Sequence, residues 1–322
     1  MPIVGYHASH EQLPPSVLLQ HVQEAEAAGF GAMMCSDHFA PWSERQGESG
    51  FAWSWLGAAL QATSSTFGTV NAPGQRYHPA IIAQAAATLA EMFPGRFWVA
   101  LGTGQAINEL LTGEAWPPKA ERNARLRECV DIIRALWAGE TVTHAGRITV
   151  REAKLWTRPA QPPMIVGPAL SEATAEWVGS WADALITVNA PRERVQLLID
   201  AFRRGGGEGK PLFLQSHVSW AATEAEAREL AYDQWRYPIL PAEVNEYLAS
   251  PAQFDALGKY VRPQDLEGFV RISADPARHR EWLHEDAAMG FERVYVHNVG
   301  PNQRAFIDAY GADVLPSVTS PG

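Results

Sequence analysis

The feature that most constrains the fold is a repeated alternation of two kinds of segment. Short runs rich in Val, Ile and Phe alternate with longer stretches in which apolar residues recur at helical spacing. This order is typical of strand–helix units in a parallel sheet. The sequence contains eight such units, so we expect an α/β fold, a (β/α)8 TIM barrel that forms one domain over residues 1–322.

Two segments interrupt this rhythm and are predicted to be insertions. Residues 141–156 have the pattern of a β-hairpin with a turn at Ala145-Gly146. Residues 238–274 contain several prolines and predict an irregular segment. An open doubly wound sheet is the alternative fold, but no GxGxxG motif follows the first strand, where such a fold carries its dinucleotide fingerprint.

Charge and composition argue against several kinds of partner. The formal net charge is −10 and no run of Lys or Arg occurs, so nucleic acids and anionic membranes are poor partners. The two cysteines, Cys35 and Cys129, lie far apart and indicate neither a disulfide framework nor a zinc site. Neither a signal peptide nor a long apolar stretch is visible, and we expect a cytoplasmic protein.

Polar residues collect where the predicted strands end. In a (β/α)8 barrel the chemistry lies at the C-terminal ends of the strands, so these residues are the first candidates for a site. We expect them to meet in one mouth of the barrel and to form a pocket. The polar strand ends are residues 7–11, 36–38, 69–71, 102–105, 215–217 and 297–298.

Two of these positions allow more than one interpretation. A histidine beside a carboxylate, as in Asp37-His38, can be held in one tautomer and exchange a proton, but the same pair can be a capping aspartate and a core histidine. Ser171 can cap a helix or place a phosphate at the helix N-terminus. The histidines have no HExxH-type spacing, so we expect no metal site.

Three motifs resemble those of a known family. Residues 36–42 (SDHFAPW), 76–85 (RYHPAIIAQA) and 102–109 (GTGQAINE) are similar to stretches of the F420-dependent glucose-6-phosphate dehydrogenase family, within the luciferase-like superfamily. The likeness covers nearly the whole chain and is densest over residues 1–130. It implies a (β/α)8 barrel that holds the ring of FMN or coenzyme F420 at the strand C-termini.

The resemblance also implies roles for individual residues. A cis peptide is expected between Thr69 and Val70, where the superfamily bulges against the ring. The implied catalytic residues are His38, Trp42 and Gln105. The implied cofactor-binding residues are Asp37, Thr69, Val70, Asn108 and Ser171. The implied substrate-binding residues are Glu11 and Trp53.

Three departures from the family pattern bear on the substrate and the cofactor. The catalytic glutamate of the family is Gln105 here, and an amide cannot exchange a proton at neutral pH. The lysines that hold the sugar phosphate fall at or near Pro191 and near Gly268, so we expect that glucose 6-phosphate is not the substrate. The glycine pair that cradles the cofactor phosphate is replaced at about Leu170-Ser171. This leaves FMN and F420 both open and resembles a branch of the family that uses FMN.

The sequence therefore predicts a flavin- or deazaflavin-dependent oxidoreductase. It would transfer hydride between the cofactor ring and a small organic substrate, as a homodimer. One alternative is a luciferase-like monooxygenase that uses reduced FMN and oxygen. A second alternative is a flavin-binding protein without turnover, because the acid of the family is missing.

Overall fold

The computed structural model describes residues 2–237 and 239–319, in which strands and helices alternate along the chain. The strands are β1 (Ile3–Ala8), β2 (Ala32–Cys35), β3 (Phe67–Asn71), β4 (Phe97–Leu101), β5 (Val142–Ala145), β6 (Thr149–Ala153), β7 (Met164–Pro168), β8 (Ala184–Val188), β9 (Leu212–Ser219), β10 (Arg271–Ile272) and β11 (Arg293–Asn298). The α-helices are α1 (Pro15–Ala28), α2 (Ala52–Ala62), α3 (Pro79–Met92), α4 (Ala106–Glu109), α5 (Lys119–Ala138), α6 (Glu172–Gly179), α7 (Arg192–Phe202), α8 (Glu224–Trp235), α9 (Ala242–Asn245), α10 (Pro251–Gly258), α11 (Pro276–Ala288), α12 (Gln303–Ala309) and α13 (Leu315–Thr319).

Eight parallel strands close into a barrel. Their order is β1-β2-β3-β4-β7-β8-β9-β11, and β11 pairs with β1 to complete the circle. The short strand β10 pairs in parallel with the C-terminal end of β9, where Arg271 lies opposite Val218. The predicted (β/α)8 TIM barrel is confirmed.

The two predicted insertions have different outcomes. Strands β5 and β6 form the expected antiparallel hairpin. The Glu128 carboxylate on α5 anchors its turn by accepting from the backbone N–H groups of Arg147 at 2.8 Å and Ile148 at 3.2 Å. The prediction of an irregular segment over 238–274 is partly wrong, because residues 239–274 contain α9, α10 and β10, and Pro238 lies outside the described residues. Pro251 begins a helix rather than preventing one, since it is the first residue of α10.

The predicted and observed strand bounds agree best where the last residues of a strand are still paired with a neighbouring strand. The sequence predicts strands over 212–219 and 293–298, and β9 and β11 have these bounds. The second strand is predicted over 31–38, but β2 ends at Cys35. Residues beyond Cys35 leave the ladder because their polar groups bind side chains of other strand ends. The Ser36 hydroxyl, for example, donates to the Glu11 carboxylate at 2.6 Å.

Large rings fill the barrel toward the N-terminal ends of the strands. Trp98, Phe213 and Tyr295 pack together there, and Trp98 Nε1 donates to the Tyr295 hydroxyl at 3.0 Å. Glycine on the neighbouring strands makes room for them. A Cβ on Gly68 would lie 1.8 Å from Trp98 Cε2, and one on Gly5 would lie 2.6 Å from Tyr295 Cδ1. The barrel therefore has a sealed floor and can open only at its C-terminal end.

The floor packing predicts the effect of adding one methyl group. Gly68→Ala should lower the free energy of unfolding by about 1–3 kcal/mol, because the Trp98 ring must move in a close-packed interior. Urea unfolding of the purified variant measures this change. The matched control is Gly57→Ala in α2, where the new Cβ would meet only Leu89 Cδ2, at 4.0 Å. That change should raise stability by about 0.5–1 kcal/mol, because alanine is the better helix former. Equal stability of the two variants would contradict the packing of the floor.

Candidate active site

The mouth of the barrel has a polar half and an apolar half. Successive strand residues face opposite sides, so the positions two residues beyond those that form the floor also face inward. On β1, β9 and β11 these positions carry His7, Gln215, His217 and His297. On β3, β4, β7 and β8 the inward positions carry Val70, Gly102, Pro168 and Val188, all of which are half-buried. Side chains that face inward yet stay partly exposed show that the mouth is an open cleft.

Three imidazole rings form the polar half. The ring centroids of His7 and His297 lie 4.5 Å apart, and those of His217 and His297 lie 5.5 Å apart. Burial lowers the pKa of His7 to about 4 and that of His217 to about 3. Burial and the two neighbouring rings hold the pKa of His297 well below its ordinary value. All three rings are therefore uncharged at neutral pH.

His38, in the loop after β2, lies beside a carboxylate. Its Nδ1 lies 3.3 Å from Glu11 Oε1, while Glu11 Oε2 accepts hydrogen bonds from Ser9 at 2.7 Å and Ser36 at 2.6 Å. Burial alone would raise the pKa of the Glu11 carboxyl, but the His38 ring and the two hydroxyls outweigh it and hold the pKa below its ordinary value. An ionised carboxylate only accepts, so it favours the His38 tautomer with the proton on Nδ1. Nε2 is then the basic nitrogen.

Trp42 covers His38 from one side. The two rings lie 4.9 Å apart, and Phe254 of α10 packs edge-on against Trp42 at 5.2 Å. Helix α10 belongs to the second insertion, so this insertion contributes to the wall of the cleft. The catalytic role that the resemblance implies for Trp42 stays a prediction.

Asp37 lies away from the cleft, in a buried ionic network. Its carboxylate accepts from Asn71 Nδ2 at 2.6 Å and from the Tyr77 hydroxyl at 3.0 Å. The Arg76 guanidinium bridges it to a second acid, with 3.5 Å from Nη2 to Asp37 Oδ2 and 3.6 Å from Nε to Glu109 Oε1. Both Asp37 oxygens are engaged by the protein. The network positions the ends of β2 and β3, and it does not support the predicted contact of Asp37 with the cofactor ring.

Asn108 and Ser171 also have structural partners. The Asn108 Oδ1 atom accepts from the backbone N–H of Phe39 at 2.9 Å and so holds the loop after β2. Ser171 is the N-cap of α6, and its hydroxyl accepts from Thr174 N at 3.4 Å. The helix-capping interpretation of Ser171 is thus confirmed, and a contact of Ser171 with a cofactor phosphate stays a prediction.

Gln105 lies at the edge of the mouth, immediately before α4. It is half-buried, and its side chain makes no hydrogen bond with another residue of the described chain. The preceding Gly104 has a φ of 78° and its missing Cβ would lie 2.9 Å from Glu109 Cγ, so glycine is required for this turn. The turn leaves the Gln105 amide available to a ligand.

The expected cis peptide between Thr69 and Val70 is wrong, since residues 2–237 and 239–319 contain no cis peptide bond. Strand β3 runs straight through this point, with Thr69, Val70 and Asn71 paired opposite successive residues of β4. The Thr69 side chain faces away from the cleft and its hydroxyl donates to Cys35 O at 3.1 Å. A contact of Thr69 with the cofactor stays a prediction, whereas Val70 packs against the residues inside the barrel.

Trp53 occupies a position of the core. It is buried between the barrel and its helices, and its ring packs against Phe97 at 5.8 Å. The structure gives no support to its predicted contact with substrate. Its neighbour Trp55 is buried as well and donates from Nε1 to Pro15 O at 2.9 Å.

Sequence reasoning missed the residues that complete the polar half. Trp235, the last residue of α8, lies 4.7 Å from the His297 ring. The side-chain amide of Gln12 donates from Nε2 to Gln234 Oε1 at 3.1 Å. Its Oε1 atom lies 3.2 Å from His297 Nε2. These side chains follow a strand end or close a helix, and no local pattern distinguishes them from surface residues. Only their position in the closed barrel reveals them.

Residues 2–237 and 239–319 contain no group of three or more His, Cys, Asp or Glu side chains arranged to hold a metal ion. Over the same residues, no helix has the length and apolar character needed to cross a membrane.

Comparison with known proteins identifies the family. A model of the luciferase-like monooxygenase family matches residues 3–293. The chain belongs to this family. The F420-dependent glucose-6-phosphate dehydrogenase of Intrasporangium calvum is 34% identical to this luciferase-like chain, and the match covers 98% of each protein. The enzyme of the same name from Nakamurella multipartita is 35% identical, and the match covers 97% of this chain and 95% of that enzyme. The predicted resemblance and the predicted enzyme class, an oxidoreductase, are confirmed.

A solved structure extends this likeness to the whole fold. The complex of an F420-dependent secondary alcohol dehydrogenase with an F420-acetone adduct has a TM-score of 0.92 and 28% identity, and the match covers 99% of each chain. A monooxygenase from Streptomyces bottropensis, with a TM-score of 0.74 and 19% identity over 99% of this chain and 100% of its own, shares the fold.

The neutral histidines predict that this luciferase-like protein loses stability in acid. Between the ordinary pKa of 6.5 and a folded-state pKa of about 4, the unfolded chain binds a proton at His7 and the folded chain does not. The free energy of unfolding should therefore fall as the pH falls through this interval, by up to about 3 kcal/mol for one such histidine. Urea unfolding measured across the interval gives the slope. His7→Gln should reduce the slope, and the exposed control His284→Gln should leave it less affected. An unchanged slope in His7→Gln would show that His7 already carries a proton in the folded protein.

Proposed function

We propose that this chain is an oxidoreductase that transfers hydride between the ring of F420 or FMN and a small organic substrate, with His38 handling the proton. The observation that carries the proposal is the arrangement of the mouth. An apolar, partly uncovered half lies beside an acid–base pair, His38 and Glu11, in one cleft. A cytoplasmic location and a homodimer remain parts of the proposal.

The apolar half of the mouth fits a flat ring. Val70, Pro168 and Val188 face inward but are only half-buried, so apolar surface is left for a ligand to cover. Gly102 lies among them, and a Cβ at this position would come within 3.2 Å of Pro168 Cγ. The missing side chain leaves the ring access to the backbone. When bound, the ring supplies the hydride chemistry. The F420-dependent names of the relatives and of the solved alcohol dehydrogenase support F420, and the fold shared with monooxygenases keeps FMN open.

His38 can take or return the proton of a substrate hydroxyl. The Glu11 carboxylate, 3.3 Å from Nδ1, favours the tautomer with the proton on Nδ1, in which Nε2 carries the lone pair. An imidazole can both accept a proton and return it, so it is suited to proton exchange in either direction. Trp42 shields this nitrogen from water on one face. Glu11 acts through His38 and fixes its tautomer.

Gln105 contributes binding and not proton transfer. Its amide can donate to a carbonyl or hydroxyl oxygen and accept from a hydroxyl, but it has no proton to exchange. The half-buried position at the mouth lets it orient a ligand. His38 then exchanges the proton alone, because the loop before α4 offers Gln105 in place of an acid.

Glucose 6-phosphate is not the substrate in this proposal, although the relatives carry its name. Pro191 and Gly268 line a surface cavity of about 430 Å³ that also contains Arg192, Arg228 and Arg271. Glu267 and Glu285 line the same cavity, and Arg271 is paired with Asp286 at 2.6 Å. Acidic neighbours thus offset the positive charge of the arginines in this cavity. In a site built to bind phosphate, the arginines are free to pair with the phosphate oxygens.

The first test uses purified protein loaded with F420 or FMN. Absorption spectra of the protein after removal of free cofactor decide which ring is retained. We expect turnover with a small secondary alcohol such as propan-2-ol and little with glucose 6-phosphate, since each missing charge-assisted contact costs about 1.5–3 kcal/mol of affinity. The Intrasporangium calvum relative is the positive control for the sugar. Oxidation of glucose 6-phosphate at a rate like that of the relative would contradict our substrate assignment. Oxygen consumption with reduced FMN would instead support the monooxygenase.

The second test concerns His38. His38→Ala should lower the turnover number about 10²–10⁴-fold, the usual contribution of a general acid–base group, while cofactor binding is retained. Glu11→Gln should shift the pH profile of turnover, because it removes the charge that fixes the tautomer. His284→Ala on the surface of α11 is the control for histidine removal. Melting temperature and single-turnover rate are measured on the same preparations. A large loss of stability with a rate near that of the parent protein would identify His38 as a core residue.

A further inference from the structure

We propose that His7, His217 and His297 form a substrate subsite that binds an uncharged hydroxyl or carbonyl group. This inference rests on the proposed function, because it names the class of substrate that the same cleft would accept. The cluster lies on the polar half of the mouth, opposite the apolar half assigned to the ring.

Two buried nitrogen atoms of the cluster have no partner. His7 Nδ1 and His297 Nδ1 make no hydrogen bond with other residues of the described chain. Both side chains are more than nine-tenths buried, with 4% and 1% of their surface exposed. Buried polar groups in folded proteins are nearly always hydrogen-bonded, so unpaired ones indicate a missing ligand or water.

The cluster borders the open cleft rather than a closed core. His217 is half-buried, and its ring lies 5.0 Å from Trp235 and 5.5 Å from His297. Strand alternation directs all three imidazoles inward, to the same space above the floor. A ligand that enters the mouth therefore meets the His217 ring first, and the His297 ring lies 5.5 Å from it.

The charge of the cluster indicates the class of ligand. The three rings are uncharged at neutral pH, and the inward positions at the mouth end of the strands carry neither Lys nor Arg. Charged neighbours lie on other elements: Glu11 acts on His7 and raises its pKa, and Arg271 acts on His217 and lowers it. A phosphate or carboxylate would thus meet no cation in the cluster. A neutral imidazole both donates and accepts, as a hydroxyl does, and its N–H can donate to a carbonyl.

The two ends of one substrate can then be bound at once. In this proposal the cluster binds one hydroxyl or carbonyl of the substrate, while His38 exchanges the proton of a second group in the same cleft. The subsite therefore favours a polyol or hydroxyketone over a phosphorylated sugar.

Histidine NMR of the complete protein without cofactor tests the subsite. Imidazole ¹⁵N shifts report tautomer, protonation and hydrogen bonding for each of the ten histidines. The probes are propan-2-ol, glycerol and inorganic phosphate. We expect saturable shifts of His7 and His297 with glycerol or propan-2-ol and none with phosphate, while the exposed His78 and His284 serve as internal references. His7→Gln and His297→Gln assign the signals, and circular dichroism checks that both variants are folded.

Three results would overturn the inference. No response of the cluster to either alcohol would mean that water or protein atoms fill the space. Protonation of the cluster by phosphate at neutral pH would make it an anion site. If the alcohols change the ¹⁵N shifts of the cluster no more than those of the reference histidines, the change would be a solvent effect. Cofactor retention is measured separately by absorbance. If the proposed function is wrong but this inference is right, the protein retains no ring cofactor while the histidines still respond to the alcohols.

Discussion

The pairing of β11 with β1 closes the barrel, and the register of this pairing decides which side chains meet in the mouth. Gly5 lies opposite Tyr295 and Tyr6 lies opposite Val296, so His7 comes beside His297 one residue later. On the other side of β11, His297 lies directly opposite His217 of β9. Parallel neighbours in register place identical positions of the pleat side by side. The three-histidine cluster is therefore a consequence of closure, and a shift by one residue would turn His7 outward.

The floor explains why a ligand can enter at only one end. Trp98, Phe213 and Tyr295 fill the N-terminal part of the barrel, and Gly5 and Gly68 supply the space that these rings need. Bulky rings opposite glycines satisfy close packing without a central channel. Toward the C-terminal end the inward residues on β3, β4, β7 and β8 become small or apolar, and the space above them opens. The same alternation of side chains thus builds both the seal and the cleft.

The fold was predictable because its signal is repeated along the chain, while the site partners were not. Strands β9 and β11 have their predicted bounds, since buried runs of apolar residues mark them clearly. Asp37 is next to His38 in sequence, but consecutive residues at a strand end point to opposite sides, so the carboxylate that meets His38 comes from Glu11. Trp235 closes α8, far along the chain from β1, and no spacing predicts its contact with His297.

The replacement of an acid by Gln105 is consistent with the charge state of the rest of the cleft. A carboxylic acid at Gln105 would face a mouth whose imidazoles are uncharged and whose carboxylate Glu11 is already held by two hydroxyls and His38. Glutamine keeps the hydrogen-bonding capacity at this point without adding a charge. Proton exchange in the cleft is then concentrated at His38, because the other inward-facing imidazoles are too weakly basic to hold a proton at neutral pH.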